Sequence, residues 1–389
     1  VEDIDNLKKD YFQKSGIMIS RPCLRQVDEI RKETFAAEKS GSLTPAQSDI
    51  IYRQNWFNIF VPRLIGGLEL SLPEAAYLQE SLAWADGSFG WTITLCSGAN
   101  WFAGFLEETV RSRFFSDPKV CFAGSGAATG IAEMTDGGFI IDGRWRYATG
   151  AKHATAFTAN CIVHKDGNVL KEANGSDMIR SFVFEKNEVK IIEDWNSLGM
   201  NATSSHSFEV DDIFVAADRM FIIDTSHATL PGLIYKVPFL QFAEVTLAAN
   251  FSGMALHFAE ECRALFEEKI MKRGYSVIKA GEMLEVLGRM SSMLEGRRKL
   301  FYETVAQIWE DGTSQGSWNI PVLENLSMVC KALVKTALKS VDELYPYTGM
   351  TGADPSADIN RVWRDIHTAS QHQLFTFNGI KPEKLQYYS

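Results

Sequence analysis

Cysteine is scarce in this chain and shows no paired spacing. Cys23, Cys96, Cys121, Cys161, Cys262 and Cys330 are scattered, most of them inside apolar runs where a free thiol packs as a small hydrophobe. A disulfide scaffold is thereby excluded, and a reducing compartment, the cytoplasm, is expected. Long apolar runs are missing as well. Nothing approaches the roughly 18 residues that span a bilayer, and the acidic stretch beginning at Val1 has no signal-peptide core, so no membrane partner is expected. Clustered positive charge is absent too. With 39 basic and 49 acidic residues the net charge is -10, which repels a phosphate backbone and excludes nucleic acid as a partner. There is no internal repeat and no low-complexity tract.

What is present is apolar material in quantity: 46% of the 389 residues are hydrophobic and 12% aromatic, enough to bury a sizeable core. The length exceeds one ordinary core and predicts two or three packed units. Up to residue 117 the apolar spacing is helical, broken by turn signals at 41–45, Pro62, Gly66-Gly67 and Asp86-Gly87. Across 118–220 the period shortens to two, with strands predicted in 138–147, 158–164, 181–185 and 207–210. From 221 to 389 the helical period returns: Leu247, Phe251, Met254 and Phe258 share one face, Met283, Leu287, Met290 and Leu294 another, and Leu326, Val329 and Leu333 a third. Such spacing predicts helices of about 25 to 30 residues in an antiparallel bundle. The fold class is α+β: an N-terminal helical domain (1–117), a central β-barrel-like domain (118–220) and a C-terminal four-helix bundle (221–389).

Three segments can carry chemistry. Gly124-Ser125-Gly126, followed by Thr129 and Gly130, superficially matches a dinucleotide-binding glycine loop. That motif requires a helix next, whose amides meet a pyrophosphate, whereas here the chain continues into a strand. Small side chains in such a loop still let backbone approach a planar ligand closely. The second segment, 142–154, is an alternating strand ending in Thr149-Gly150, which places a hydroxyl and free amides at a strand end. The third, 361–372, sets Arg364, Thr368 and His372 at four-residue intervals on one helical face. His367 and His372 point apart on that helix and make no metal pair, so no metal is expected.

The second segment resembles the Lys-x-Trp-Ile-Thr-Asn-Gly strand of acyl-CoA dehydrogenases, with Tyr147 and Thr149 on that motif's Trp and Thr. The likeness continues in order along the chain. Residues 193–215, with Trp195, Gly199-Met200 and Thr203-Ser204-Ser205, are similar to the family's second β-domain signature, with Asn201 in place of an Arg and Ala216 in place of a Pro. Lys272-Arg273-Gly274-Tyr275 resembles the family's Arg-x-x-Phe-Gly. The resemblance implies a flavin whose isoalloxazine lies between Tyr147 and Thr149, with Thr149 at its N5 edge. Trp91, Gly124, Ser125, Gly126 and Gly150 are the expected further contacts, and Arg273 would reach a flavin phosphate across a subunit interface. A homotetramer formed through the bundle is implied as well.

The family's catalytic glutamate is missing. After Arg364-Asp365 the chain offers Gln371 and His372 instead, a pattern similar to the two-component flavin monooxygenases of the same fold. That branch implies FMN or FAD supplied reduced by a separate flavin reductase, and a small aromatic or amino-sugar-like substrate beside His372. An imidazole of ordinary pKa near 6.5 suits removal of a phenol or hydroxylamine proton, with Asn100 and Trp195 expected against the substrate. Ala99 stands where that branch often carries a second histidine. Two alternatives remain open: an acyl-CoA dehydrogenase with FAD, using Glu244 as its base, and a catalytically silent flavin-binding homologue.

Overall fold

The computed structural model describes residues 25–272 and 275–376. Among the described residues six α-helices come first: α1 (Val27–Lys32), α2 (Thr34–Ser40), α3 (Pro45–Gln54), α4 (Leu72–Ala85), α5 (Gly87–Asn100) and α6 (Glu108–Phe115). Their starts are written locally. Thr44 and Gln47, and again Ser71 and Glu74, form reciprocal capping boxes with a proline in the first turn. Asp86 caps α5 by accepting the Phe89 amide at 2.8 Å.

Eight strands follow: β1 (Phe122–Thr135), β2 (Gly138–Ala148), β3 (Ala156–Lys165), β4 (Asn168–Val169), β5 (Ile179–Glu185), β6 (Lys190–Ile192), β7 (His206–Ala216) and β8 (Met220–Phe221). They form one sheet in the order β6-β7-β2-β1-β3-β5-β8, with β4 on β3. β1 and β3 are parallel, and the other pairs along that path are antiparallel. The glycine segment expected as a loop lies inside β1. Its pairing with β3 slips between Ser125 and Ala128 and again between Ala128 and Gly130, so the glycines sit in a bulged strand. Beneath them Trp145 is fully buried and stacks on Phe208 at 5.1 Å, its indole N–H donating to the Asn160 carbonyl at 2.9 Å. A Cβ at Gly130 would come within 2.1 Å of that ring, which is why this position carries none.

The bundle consists of α7 (Phe239–Lys272), α8 (Val277–Gln315) and α9 (Ile320–Thr348), then the short α10 (Met350–Ala353), α11 (Asp358–Ala369) and the short α12 (Gln373–Thr376). At 34, 39 and 29 residues, two of the long helices exceed the expected span. Among the described residues no helix is long and apolar enough to cross a membrane. α4 packs along α7, which binds the N-terminal helices to the bundle. That contact encloses an ion pair: fully buried Glu80 of α4 takes two bonds from Arg298 of α8, at 2.7 and 2.6 Å, and one from Ser252 of α7.

Candidate functional site

A cavity of about 920 Å³ opens between α5, strands β1, β3 and β5, α7 and the segment after α11. Small residues (Gly98, Ala99, Gly124, Ser125, Gly126) and the rings of Phe102, Phe239 and Phe242 line it. A volume of this order holds a drug-sized planar molecule and keeps most of it from water. Three polar side chains named from the sequence, Ser125, Thr149 and His372, share this lining.

Thr149 stands just beyond the end of β2, where the backbone turns sharply. Tyr147 takes the left-handed region at φ 66°, and Gly150 follows at φ 79°. Glycine is required at 150 on two counts, its positive φ and the 2.4 Å that would separate a Cβ from the Cys96 sulfur. The turn is fastened by the Gly150 amide, which donates to the Thr203 carbonyl at 2.8 Å. Buried Thr149 puts its Oγ1 2.9 Å from Ser205 Oγ, which lies 2.7 Å from Thr203 Oγ1. Thr203 Oγ1 in turn donates to the Met200 carbonyl at 2.8 Å.

His372 is placed differently from the expectation. α11 ends at Ala369, and residues 370–372 form turns in which the His372 amide donates to the Ala369 carbonyl, so His372 does not continue the helical face of Arg364 and Thr368. Its ring meets Trp91 edge-on at 5.9 Å. Burial lowers its pKa to about 4, well below the ordinary value assumed from sequence, because the surrounding apolar atoms disfavour the imidazolium. The ring is neutral at physiological pH. Among the described residues Nδ1 receives the Leu374 amide at 3.4 Å, too long to lock the tautomer, so either nitrogen can accept a proton.

α11 is pinned to the β-domain signature loop. Thr368 Oγ1 accepts the Gly199 amide at 2.8 Å, Asp365 accepts the Met200 amide, and Arg364 donates to the Leu198 carbonyl at 3.0 Å. The Asp365 carboxyl is pushed up to about 7 by its burial and then by the neighbouring Asp86 charge. Arg361 lies against both acids.

The other expected residues are dispersed. Trp91 is buried behind His372 and is not part of the cavity wall. Tyr147 is 61% exposed and meets Trp195 edge-on at 6.2 Å, both outside the cavity. Asn100 is fully buried with its amide spent inside the protein: it donates to Asn58 and the Val120 carbonyl and accepts the Phe122 amide at 2.8 Å. Gly150 backs the Thr149 turn, and Arg273 lies outside the described residues. Sequence reasoning missed the phenylalanine wall and the hydroxyl series Thr203–Ser205; a run of hydroxyl residues next to Gly199-Met200 was the only available signal for the latter.

Among the described residues, each carboxylate in the lining already has a partner. Glu172 is held by Arg180 at 2.7 Å, Asp177 by Lys171, and Asp224 by the Ser226 amide at 2.8 Å. Glu244 is buried outside the lining and pairs with Lys331 at 3.2 Å.

Residues 245–377 match the family model described as the C-terminal domain of acyl-CoA dehydrogenase. The chain is 26% identical over 348 residues to indole-3-acetate monooxygenase of Acinetobacter baumannii, covering 88% of this chain and 87% of that protein. It is 25% identical over 336 residues to the flavin-dependent monooxygenase oxygenase subunit HsaA of Rhodococcus jostii, covering 82% and 84%. Its fold is that of the solved 3-HSA hydroxylase of Rhodococcus sp. RHA1, with a TM-score of 0.80 at 20% identity over 93% of this chain and 92% of the other. Helices, sheet and bundle in this order give the chain the fold of these solved monooxygenases, its C-terminal part matches the acyl-CoA dehydrogenase C-terminal domain, and over most of its length it is similar to flavin-dependent monooxygenases.

Proposed function

We propose that this protein is the oxygenase component of a two-component flavin monooxygenase that hydroxylates a small, electron-rich aromatic molecule, taking FMN or FAD already reduced by a separate reductase. One observation carries the reading: the His372 imidazole and the Thr149 hydroxyl line the same cavity while every carboxylate there is engaged elsewhere. A dehydrogenase needs a free carboxylate over the acyl chain, and the described residues of the lining offer none. The residues present fit a flavin. Gly124, Ser125 and Gly126 allow close approach of a flat ring, and Thr149 would meet its N5 edge. When bound, the flavin supplies the redox chemistry, passing one atom of dioxygen to the substrate.

The protein's share is positioning, shielding and proton handling. Phe102, Phe239 and Phe242 keep water from the ring and present an apolar wall to an aromatic substrate. His372, neutral and aimed into the cavity, orients the substrate's O–H or N–H and takes its proton as oxygen transfer makes it acidic. Assembly as a tetramer through the bundle is part of the same reading; Ile278, Ile320 and Met328 leave apolar surface exposed along α8 and α9. The five described cysteines, all free and buried, suit a cytoplasmic setting.

The decisive experiment supplies reduced flavin from an unrelated reductase, a phenol or indole panel and 18O-labelled dioxygen. Product carrying a single 18O is expected. Anaerobic bleaching of the flavin-loaded protein by an acyl-CoA thioester would instead identify a dehydrogenase, and bound flavin with no product from any substrate would mark a silent homologue.

The pH profile offers a separate check. The folded pKa of His372, about 4, lies below the unfolded value of about 6.5, so the neutral form persists as pH falls until about 4. Product yield should stay flat through the range where a free imidazole titrates and decline only near pH 4. The sign for stability follows: below about pH 6.5 the unfolded chain binds a proton that the folded one refuses, so stability falls across that window. An activity midpoint near 6.5 that His372→Gln abolishes would contradict the burial argument.

A further inference from the structure

We propose that Ser205 and Thr203 turn Thr149 into a one-way hydrogen-bond acceptor, so that the site selects flavin bearing a proton on N5, the reduced form, over oxidised flavin. The inference rests on the reading that the ring edge meets Thr149, and it adds two positioning residues that touch no ligand. Three hydroxyls lie in series: Thr149 Oγ1 to Ser205 Oγ at 2.9 Å, Ser205 Oγ to Thr203 Oγ1 at 2.7 Å, and Thr203 Oγ1 to the Met200 carbonyl at 2.8 Å. Each hydroxyl owns a single proton. The series ends on a carbonyl, which can only accept, and two oxygens 2.8 Å apart with no proton between them repel.

Thr203 must therefore spend its proton on Met200. Ser205 must then donate to Thr203, and Thr149 to Ser205. What Thr149 shows the cavity is lone pairs alone. The terminus of the series is itself fixed: the Trp195 indole N–H donates to the Met200 carbonyl at 2.9 Å, and Asp365 accepts the Met200 amide. All three hydroxyls are buried, with Thr203 at 0% exposure, so water does not compete to reverse the sense. N5 of a reduced isoalloxazine carries a hydrogen and donates; N5 of an oxidised one has a lone pair and would face another. The first pairing gains a hydrogen bond and the second leaves two acceptors opposed.

The test is an anaerobic equilibrium titration of the full-length apoprotein with FMN and with FAD, each oxidised and photoreduced, giving a ratio of dissociation constants. The wild type should hold reduced flavin about tenfold or more tightly over oxidised, the worth of one hydrogen bond. Ser205→Ala frees the Thr149 proton to point into the cavity, so the ratio should fall toward one, mainly because oxidised flavin binds better. Thr203→Val should act alike, since Ser205 then has Thr149 as its partner. Thr203→Ser keeps the hydroxyl and should keep the ratio. A scaffold role lowers both affinities together, so an unchanged ratio in Ser205→Ala and Thr203→Val overturns the relay even if binding weakens. A wild type that binds both forms equally also overturns it. A wild type that binds neither form refutes the flavin reading itself, a different result.

Discussion

Alanine at position 372 should cut hydroxylated product by about a hundredfold or more, the usual contribution of a positioned acid–base group, while the dissociation constant for reduced flavin changes by less than about twofold. The asymmetry follows from placement. His372 lines the cavity but belongs to the turn after α11, whereas Thr149 stands at the end of β2. Truncating it removes the group proposed to meet the substrate and leaves Gly124, Ser125, Gly126 and Thr149 unchanged. Flavin reoxidation should then run on without coupled product, visible as oxygen consumed per product formed. Glutamine at 372 keeps hydrogen-bonding capacity without basicity, so recovery of substrate affinity but not of product separates orientation from proton transfer. Equal product yields from the wild type and the alanine variant would remove His372 from the mechanism.

The largest effect on stability is expected far from that chemistry. Glu80→Ala should destabilise the protein by about 3–5 kcal/mol, because it strands a buried guanidinium. Arg298 is only 3% exposed, and its remaining carboxylate partner, Glu295 at 2.6 Å, is half-exposed and takes one of its nitrogens. The pair ties α4 to α8 through two bonds, with Ser252 of α7 completing the acceptor side, so its loss loosens three helices at once. Replacing both charges with methionine should cost much less than the single change, since no unpaired charge is left behind. Chemical denaturation of the two variants decides the matter: equal costs would mean that packing, not charge pairing, sets the penalty.

The order of helices, strands and bundle was legible because each zone keeps one hydrophobic period over many residues, and burial follows that period. The capping boxes at Thr44 and Ser71 are equally local, yet went unread. What escaped was decided by contacts distant in sequence. Glycines 124–126 read as a loop, yet pairing with β3 holds them in a strand, since tertiary hydrogen bonding overrides a weak local preference. His372 read as a helical position, yet the turn at 370–371 releases it from the face of Arg364. Thr149 by itself marked a strand end; its expected role came from the resemblance, and its proposed direction as an acceptor turns on Ser205, a residue 56 positions away. Asn100 and Trp195 have the right side-chain types for a site, but each spends its polar atoms on nearby backbone, and no spacing rule reveals that.

The latch between α11 and residues 198–200 joins the two halves of the site mechanically. His372 hangs a few residues beyond one side of it, and the carbonyl that ends the hydroxyl series lies on the other. Opening this latch would misplace the substrate partner and release the Thr149 series in a single event, with α7 to α9 still packed. In native-state hydrogen exchange the amides of Gly199 and Met200 should therefore lose protection together with those of the 370–372 turn, through a sub-global opening cheaper than full unfolding. The enzyme would then fail on warming as one cooperative unit smaller than the whole molecule, and would regain both functions together on cooling.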